Sequence, residues 1–195
     1  MNPHIQAALQ ESVSALSNLL GNAETHANIE HAAGILIAAF ENGGRIFSCG
    51  NGGSMSDAMH FAEELSGRYR LNRKPLGATA ISDPGHLSCV ANDFGYDYVF
   101  SRYIEGNAKA GDVLVGISTS GASKNIIKAA EVARAAGMRV ITLTGRPGSA
   151  VGALADCDIC TPGGKFADRV QELHIKVIHI LIELVERKFY PENYA

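Results

Sequence analysis

A chain of 195 residues, 46% hydrophobic and 19% charged, is long enough to bury one core, and no shift in composition marks a second domain. Its formal net charge is −3 and its basic residues are scattered, so the sequence carries no electrostatic footprint for nucleic acid or an anionic membrane. Together with 21 glycines and no tryptophan, this favours a small-molecule protein of the α/β class.

The first residues lack a basic region followed by an apolar run, and the apolar stretches are about nine residues long, too short to span a membrane. These features predict a cytoplasmic protein with no membrane partner.

Apolar residues at helical spacing predict two helices at the start of the chain, at about 3 to 20 and 25 to 42. Short apolar runs then alternate with helical stretches. The predicted strands lie at about 45 to 49, 77 to 81, 113 to 117, 139 to 143 and 157 to 160; the predicted helices lie at about 54 to 66, 85 to 107, 122 to 136 and, briefly, 149 to 155. This alternation predicts right-handed crossovers and a parallel sheet covered on both faces.

The helix predicted at about 54 to 66 follows the glycine-rich turn at 50–53, whose three glycines allow close approach of a ligand to the backbone. Its expected core stripe consists of Met55, Ala58, Met59, Ala62 and Leu65. His60 and Glu64 lie roughly opposite, one turn apart, so an imidazole and a carboxylate can converge on one metal ion or substrate. A solvated helix face is the alternative, which Asp57, Glu63 and Arg68 fit and Phe61 does not.

Ser54, with Asp57 three residues on, has the spacing of a capping box. Capping would explain Ser54 but not the three glycines before it. The turn lacks the Gly-x-Gly-x-x-Gly pattern, and the chain has no Gly-Lys-Ser/Thr sequence, which disfavours nucleotide cofactors.

A second turn, Ser118-Thr119-Ser120-Gly121-Ala122-Ser123, follows the third predicted strand and precedes a helix. Four hydroxyls beside the free N–H groups of a helix N-terminus are typical of a site for a phosphate monoester. If Ser120 merely capped the helix, that would account for one hydroxyl of the four.

Three further features leave alternatives open. Asn92 and Asp93 suit sugar hydroxyls, but such pairs are also ordinary turn formers. Cys157 and Cys160 form a Cys-x-x-Cys inside a predicted strand, where a redox or zinc role is disfavoured. The last helix, at about 168 to 188, offers Gln171, His174 and His179, and periodicity does not choose among them.

That last helix is apolar around nearly its whole circumference, and such a helix needs burial on several sides. Its apolar residues are Leu173, Ile175, Val177, Ile178, Ile180, Leu181, Ile182, Leu184 and Val185. With an amphipathic helix at the other end of the chain, this predicts a homo-oligomer in which the first and last helices pack against other copies.

At these residues the chain resembles the sugar isomerase (SIS) family, most closely its isomerases of seven-carbon sugar phosphates, over essentially its whole length. The resemblance rests on the motifs at 48–54, 57–65, 92–95, 116–121 and 171–179. It implies a single SIS domain at 1–195, an α/β doubly wound fold of flavodoxin-like topology with a five-stranded parallel sheet. N-terminal helices at 1–43 and a C-terminal helix at 166–190, both for oligomerisation, would flank an α/β core at 44–165.

The resemblance also implies the site residues. Substrate contacts would come from Asn51, Gly52, Gly53, Ser54, Glu64, Asn92, Asp93, Ser118, Thr119, Ser120, Ser123 and Gln171. One zinc ion per subunit would be held by His60, Glu64, Gln171 and His179. The partners implied are a sugar phosphate and three further copies, in a homotetramer with sites at subunit interfaces.

The implied activity is aldose–ketose isomerisation of sedoheptulose 7-phosphate to D-glycero-D-manno-heptose 7-phosphate through an enediol, the first step toward the heptose of the lipopolysaccharide inner core. Glu64 is expected as the base and His179 as the group that moves protons between oxygens or opens the ring. The alternatives are a non-catalytic tetrameric SIS protein that binds a replication initiator, and a sugar-phosphate sensor. Retention of His60, Glu64 and His179 argues against the first, and the absence of room for a DNA-binding module against the second.

Overall fold

The protein, described by a computed structural model over residues 2–195, alternates strands and helices as the sequence predicts. The helices are α1 (Pro3–Leu20), α2 (Ala23–Glu41), α3 (Gly53–Ser66), α4 (Pro84–Phe94), α5 (Ser101–Asn107), α6 (Lys124–Ala135) and α7 (Ala167–Phe189). The strands are β1 (Ile46–Gly50), β2 (Ala78–Ala80), β3 (Val113–Ser118), β4 (Arg139–Thr144) and β5 (Cys157–Cys160). The predicted α/β class is confirmed.

The five strands form one parallel sheet in the order β2-β1-β3-β4-β5. The winding direction therefore reverses between β1 and β3, which pair so that Gly50 lies beside Ile117. In doubly wound sheets ligands bind beyond the carboxyl ends of the strands at such a reversal. The two turns singled out in the sequence follow β1 and β3, so the topology makes them neighbours.

Two hydrophobic cores cover the two faces of the sheet, because successive strand residues point to opposite sides. Ile46, Val113 and Val115 belong to the first core, with α1, α2, α3 and α7. Phe47, Leu114 and Val140 belong to the second, with α4, α5 and α6. Burial on both faces explains why the strands read as near-continuous apolar runs.

The apolar circumference of α7 is used mostly inside the chain. Val177, Ile178, Leu181, Ile182 and Val185 are 0% exposed and pack in the first core. Because α1, α2 and α3 surround most of α7, its apolar circumference does not by itself indicate contact with other copies, and packing of α7 against other copies stays a prediction. Ile180, 41% exposed, is the exception in its apolar set.

The helices predicted between about 85 and 107 are α4 and α5, with a 3₁₀ turn at Tyr96–Tyr98 between them. Gly95, at φ +92°, ends α4 with a backbone conformation that side-chain-bearing residues rarely adopt. The short helix expected near 149 to 155 is a 3₁₀ turn at Gly152–Leu154. Within residues 2–195, none of the helices combines the length and apolar character that a membrane span requires.

Candidate active site

The glycine-rich turn after β1 is tight, and two of its positions require glycine. At Gly50 a Cβ atom would overlap the backbone of Ser54, and Gly52 has φ +56°. Helix α3 begins at Gly53 with Gly52 as its N-cap residue, so Ser54 lies buried inside the first turn. The capping-box interpretation of Ser54 was therefore wrong. The turn is shaped by close backbone packing.

The faces of α3 differ from the predicted stripe at two positions. Met59, expected in the core, is 49% exposed, whereas Phe61, expected on the polar face, is 1% exposed and packs in the first core. The helix is buried by β1 and β2 on one side and by α7 on the other, so its buried sector is wider than one stripe. His60 and Glu64 lie at the edge of that sector, both half-buried.

His60, Glu64 and His179 come together between α3 and α7. The Nε2 atoms of His60 and His179 are 3.0 Å apart, and Oε1 of Glu64 is 3.6 Å from Nε2 of His60. The side chain of Glu64 is 16% exposed, so its carboxylate does not point into bulk solvent. Of the three candidates on α7, His179 is thus the one that meets the pair on α3.

Glu63, which fits the alternative of a solvated helix face and is exposed, also contacts this group. Its Oε1 lies 3.1 Å from Nδ1 of His60, which leaves Nε2 of His60 directed at His179 and Glu64. A carboxylate on the second ring nitrogen commonly fixes the tautomer and orientation of a metal-binding or catalytic histidine. Spacing alone does not distinguish this role from surface exposure.

The environment moves Glu64 and His179 toward their neutral forms. Burial, together with the neighbouring Glu63 carboxylate, raises the pKa of Glu64 above its ordinary value, although His60 opposes the change. Burial lowers the pKa of His179, and the neighbouring His60 and Lys176 act in the same direction. A more basic carboxylate beside a neutral imidazole is suited to moving protons.

The histidine and glutamate side chains between α3 and α7 also have the ligand types of a metal site. His60, Glu63 and Glu64 can place one ligand atom each within 4.8 Å of one another. Two imidazole nitrogens on a tetrahedral zinc ion lie about 3.3 Å apart, given Zn–N bonds of about 2.0–2.1 Å. The observed 3.0 Å between the Nε2 atoms of His60 and His179 needs only a slight opening to match. The side chains therefore fit a divalent metal ion.

Gln171 lies at the other end of α3. Its amide packs against Gly53, where an added Cβ would come within 2.5 Å of Nε2 and 2.9 Å of Oε1. His60 is seven residues further along the helix, about 10 Å by helical rise. The structure thus places Gln171 at the glycine-rich turn.

The serine-rich turn after β3 directs several hydroxyls toward one another. Oγ of Ser118 is 3.0 Å from Oγ of Ser123 and accepts a hydrogen bond from the N–H of Gly121, while Oγ of Ser120 accepts one from the N–H of Ala122. Ser123 is the N-cap residue of α6, so the interpretation of Ser120 as the helix cap was wrong. The arrangement is typical of an anion cradle at a helix N-terminus.

Two basic residues that the sequence reasoning missed lie beside this turn. A cavity of about 150 Å³ is lined by Thr119 and Ser120 together with Arg146 and Lys165. Both cations are exposed and follow β4 and β5, so only the strand order brings them to the turn after β3. They add positive potential where a phosphate would bind.

The two turns are joined by a reciprocal pair of amides. Nδ2 of Asn51 donates to Oδ1 of Asn125, and Nδ2 of Asn125 donates to Oδ1 of Asn51, both at 2.9 Å. The hydroxyl of Tyr96 also donates to Oδ1 of Asn51, at 3.2 Å. Asn125, buried in the first turn of α6, was not a sequence candidate because asparagine in a helix carries no distinctive signal.

Asn92 and Asp93 lie in the last turn of α4 and are exposed, so their interpretation as turn formers was wrong. Nδ2 of Asn92 donates to Oδ1 of Asp93 at 2.8 Å, and the thiol of Cys89 lies 3.7 Å from Oδ2 of Asp93. Their contact with a sugar stays a prediction.

A buried ion pair lies at the C-terminal end of α3. Nε of Arg73 lies 2.7 Å from Oε1 of Glu186, and both side chains are 0% exposed. The guanidinium also donates to the carbonyl oxygens of Glu64, Leu65 and Gly67 at the end of α3. Arg73 therefore caps the helix that carries His60 and Glu64.

Cys157 and Cys160 are free thiols on β5. Burial raises the pKa of Cys157 to about 11, and its thiol donates to the carbonyl oxygen of Asn28 at 3.2 Å. A thiol with so high a pKa is a poor nucleophile at neutral pH.

Comparison with known proteins identifies the family that the chain resembles. The model of the SIS domain family matches residues 10–145. The chain is 57% identical to a phosphoheptose isomerase from Edwardsiella ictaluri over 184 residues, which are 94% of this chain and 95% of that protein.

Solved structures match as well. Phosphoheptose isomerase GmhA from Neisseria gonorrhoeae superposes with a TM-score of 0.87 at 37% identity, covering 94% of this chain and 97% of the other. A phosphoheptose isomerase from Francisella tularensis superposes with a TM-score of 0.89 at 30% identity, covering 95% and 97%.

Proposed function

Because the chain belongs to the SIS domain family and to its phosphoheptose isomerases, we propose that it interconverts sedoheptulose 7-phosphate and D-glycero-D-manno-heptose 7-phosphate. The reaction would begin the synthesis of the heptose in the lipopolysaccharide inner core. The observation that carries the assignment of residues is the convergence of His60 with Glu64, at 3.6 Å, and with His179, at 3.0 Å.

The reaction moves a carbonyl group from C2 to C1 without net oxidation. A base removes a proton from C1, an enediolate forms, and a proton returns to C2. Glu64 is suited to take the carbon-bound proton, since its raised pKa makes its carboxylate more basic than an ordinary glutamate while it stays largely shielded from water. His179 is suited to move the proton between the two oxygens, since its lowered pKa keeps a neutral imidazole available.

The phosphate is expected at the serine-rich turn. Ser118, Thr119, Ser120 and Ser123 offer hydroxyls, and α6 offers its N-terminal N–H groups. Arg146 and Lys165 add positive charge at the rim. With the phosphate held there, the neighbouring turn at 50–53 is expected to contact the sugar chain, through Asn51, Gly52, Gly53 and Ser54. Asn92 and Asp93 are proposed as further sugar contacts.

We propose that His60, Glu64 and His179 hold one zinc ion per subunit. Gln171, whose amide lies against Gly53 about 10 Å along α3 from His60, would complete the ligand set by leaning toward them or from another copy. When bound, zinc would polarise the carbonyl group and stabilise the developing negative charge on oxygen. The supporting observations are the facing Nε2 atoms of the two histidines and the carboxylate on Nδ1 of His60. A homotetramer and a cytoplasmic location stay predictions.

The activity is tested by incubating the protein with sedoheptulose 7-phosphate and following new anomeric proton signals by NMR, with and without a chelator. The wild-type protein is expected to produce aldose signals, and the chelator is expected to slow their appearance. A protein that binds the sugar phosphate without producing aldose would support the non-catalytic alternative.

The base is tested with Glu64→Gln, which keeps the size of the side chain and removes its basicity. Turnover is expected to fall by about 10³-fold or more, while calorimetry still detects binding of sedoheptulose 7-phosphate. Glu131→Gln on the exposed face of α6 is the matched control and should retain full activity. Undiminished turnover in Glu64→Gln would remove Glu64 from its role.

A further inference from the structure

We propose that Asn125 is a positioning residue: it holds the amide of Asn51 in one orientation, so that a single N–H group of Asn51 is presented to an oxygen of the substrate. The proposal deepens the isomerase assignment and rests on it. It concerns a side chain on α6 that does not itself reach the reacting carbons.

In the part of the chain that the structure describes, the hydrogen bonds of the Asn51 side chain leave one of its N–H groups without a partner. A side-chain amide has two N–H donors and an oxygen with two lone pairs. The oxygen of Asn51 accepts from Nδ2 of Asn125 at 2.9 Å and from the hydroxyl of Tyr96 at 3.2 Å, which uses both lone pairs. One N–H donates to Oδ1 of Asn125 at 2.9 Å. The remaining N–H makes Asn51 a pure donor toward any ligand.

The orientation of the Asn51 amide matters because no other residue of the turn at 50–53 has a side chain. Within the turn, Gly52 adopts φ +56°. Asn125 is 4% exposed, whereas Asn51 is half-buried, so the pair joins a surface-reaching amide to a buried one. Asn125 is two residues after Ser123, whose hydroxyl lies 3.0 Å from that of Ser118. Asn125 thus ties the sugar-facing turn to the phosphate-binding turn.

A lone oriented donor favours an oxygen that gains negative charge. In the proposed reaction the sugar oxygens at C1 and C2 become enediolate oxygens, and a preorganised N–H stabilises them more than it stabilises a neutral carbonyl. If the amide of Asn51 were free to flip, its oxygen would face the same position and repel the charge. Asn125 would therefore act on turnover more than on phosphate binding.

The test is a double-mutant cycle of Asn51→Leu and Asn125→Leu, with kcat, KM and the calorimetric Kd for sedoheptulose 7-phosphate measured for all four proteins. Asn51→Leu is expected to lower kcat by about 100-fold and Asn125→Leu by about tenfold or more. If Asn125 acts through Asn51, the double variant should be no slower than Asn51→Leu. Multiplying effects in the double variant, or an unchanged kcat in folded Asn125→Leu, would overturn the proposal.

A merely structural role is separated by a control of similar burial. Thr142 on β4 is 0% exposed and donates to Oδ1 of Asp158 at 2.7 Å. Thr142→Val should lower the melting temperature while leaving kcat unchanged. Asn125→Asp serves if Asn125→Leu does not fold, since it keeps the size but faces Oδ1 of Asn51 with an oxygen; a drop in kcat is expected there too, and a wild-type kcat would contradict the proposal.

Different measurements separate failure of the isomerase assignment from failure of this proposal. A wild-type protein that binds sedoheptulose 7-phosphate without turnover would contradict the isomerase assignment, and the cycle is then read in Kd. Non-additive losses of affinity in Asn51→Leu and Asn125→Leu would still support the positioning role, whereas additive losses would reject it.

Discussion

Gly53 is the residue at which the role of Gln171 can be tested without touching Gln171. An added Cβ would meet the end of the Gln171 side chain, at 2.5 Å from Nε2, and that flexible end can swing away. Gly53→Ala is therefore expected to change the free energy of unfolding by less than about 1 kcal/mol, since alanine is also a better helix residue. It should nevertheless weaken zinc or sugar-phosphate binding, because the amide is displaced.

The measurement is isothermal titration with zinc and with sedoheptulose 7-phosphate, beside urea unfolding. Gly50→Ala provides the contrast, since its Cβ would meet the rigid backbone of Ser54 and should destabilise the fold strongly. Unchanged binding of both ligands by a well-folded Gly53→Ala protein would place Gln171 outside the site.

His174 gives a pH dependence of stability with a definite sign. It is 0% exposed, its Nε2–H donates to the carbonyl oxygen of Thr144, and burial lowers its pKa to about 4. In the unfolded chain its pKa is about 6.5, so the unfolded state binds a proton first as the pH falls. The free energy of unfolding is therefore full above about pH 6.5 and falls as the pH is lowered to about 4, by about 3 kcal/mol in total.

The check compares urea unfolding of the wild type and His174→Gln between pH 7.5 and 4.5. The variant should lose less stability over this interval than the wild type, because glutamine does not titrate. Parallel pH curves for the two proteins would show that His174 does not carry the effect.

At the residue scale, the sequence and the family resemblance named His60, Glu64 and His179, which the structure brings together, but not the residues that contact them. An i, i+4 pair after a glycine-rich turn is a local pattern, and the SIS resemblance identified the residue on α7. Glu63, Asn125 and Arg73 act through partners that are near in space and unmarked by spacing. Their side chains are types that also occur on ordinary surfaces or helix ends, so only the folded geometry reveals them.

At the scale of elements, the end of α3 depends on one buried ion pair. Arg73 donates to the carbonyl oxygens of Glu64, Leu65 and Gly67 at the C-terminal end of α3, and Glu186 neutralises its charge. Replacing Arg73 by methionine would leave the carboxylate of Glu186 buried without its partner. The expected loss is about 3–5 kcal/mol in the free energy of unfolding.

Urea unfolding of Arg73→Met, Glu186→Met and the double variant tests this pairing. The double variant should be more stable than Arg73→Met, because removing both charges also removes the burial of an unpaired one. Lys188→Met, which breaks an exposed pair with Glu41, is the control and should cost less than about 1 kcal/mol. A double variant with the sum of both losses would argue against direct coupling.

Periodicity predicted most elements within a few residues because the two cores impose it. It was wrong on α3 at Met59 and Phe61, where burial comes from several directions at once. Periodicity also does not identify what α7 packs against, since an apolar circumference indicates how much surface is buried and not which chain buries it. Such positions depend on packing between distant segments.

At the scale of the whole molecule, the order β2-β1-β3-β4-β5 joins the two turns of the site. The confirmed fold class came from alternating elements, and the family resemblance supplied the flavodoxin-like topology. Composition and spacing alone do not fix the order of parallel strands. Arg146 and Lys165 lie near the serine-rich turn because of that strand order. Local motifs therefore did not predict that these two residues line the turn.

Once α7 is accounted for inside the chain, the evidence for oligomerisation rests on α1. Five apolar residues at helical spacing are left exposed along this helix: Ile5, Leu9, Val13, Leu16 and Leu20, at 59%, 63%, 55%, 45% and 75%. Leu16 and Leu20 also line a groove of about 320 Å³ that reaches His179 and Tyr69. A partner copy that covers the α1 stripe would therefore close the surface beside the site.

Leu9→Glu combined with Val13→Glu places two charges in the middle of this stripe, away from the groove. We expect light scattering at micromolar concentration to show a smaller species than the predicted tetramer, and isomerase activity to fall with it, because the groove beside His179 loses its cover. Gln6→Glu with Gln10→Glu adds the same charge to exposed positions of the same helix and should leave both mass and activity unchanged. A wild-type protein that is monomeric and active would show that one chain contains a complete site, and the apolar stripe would then need another explanation.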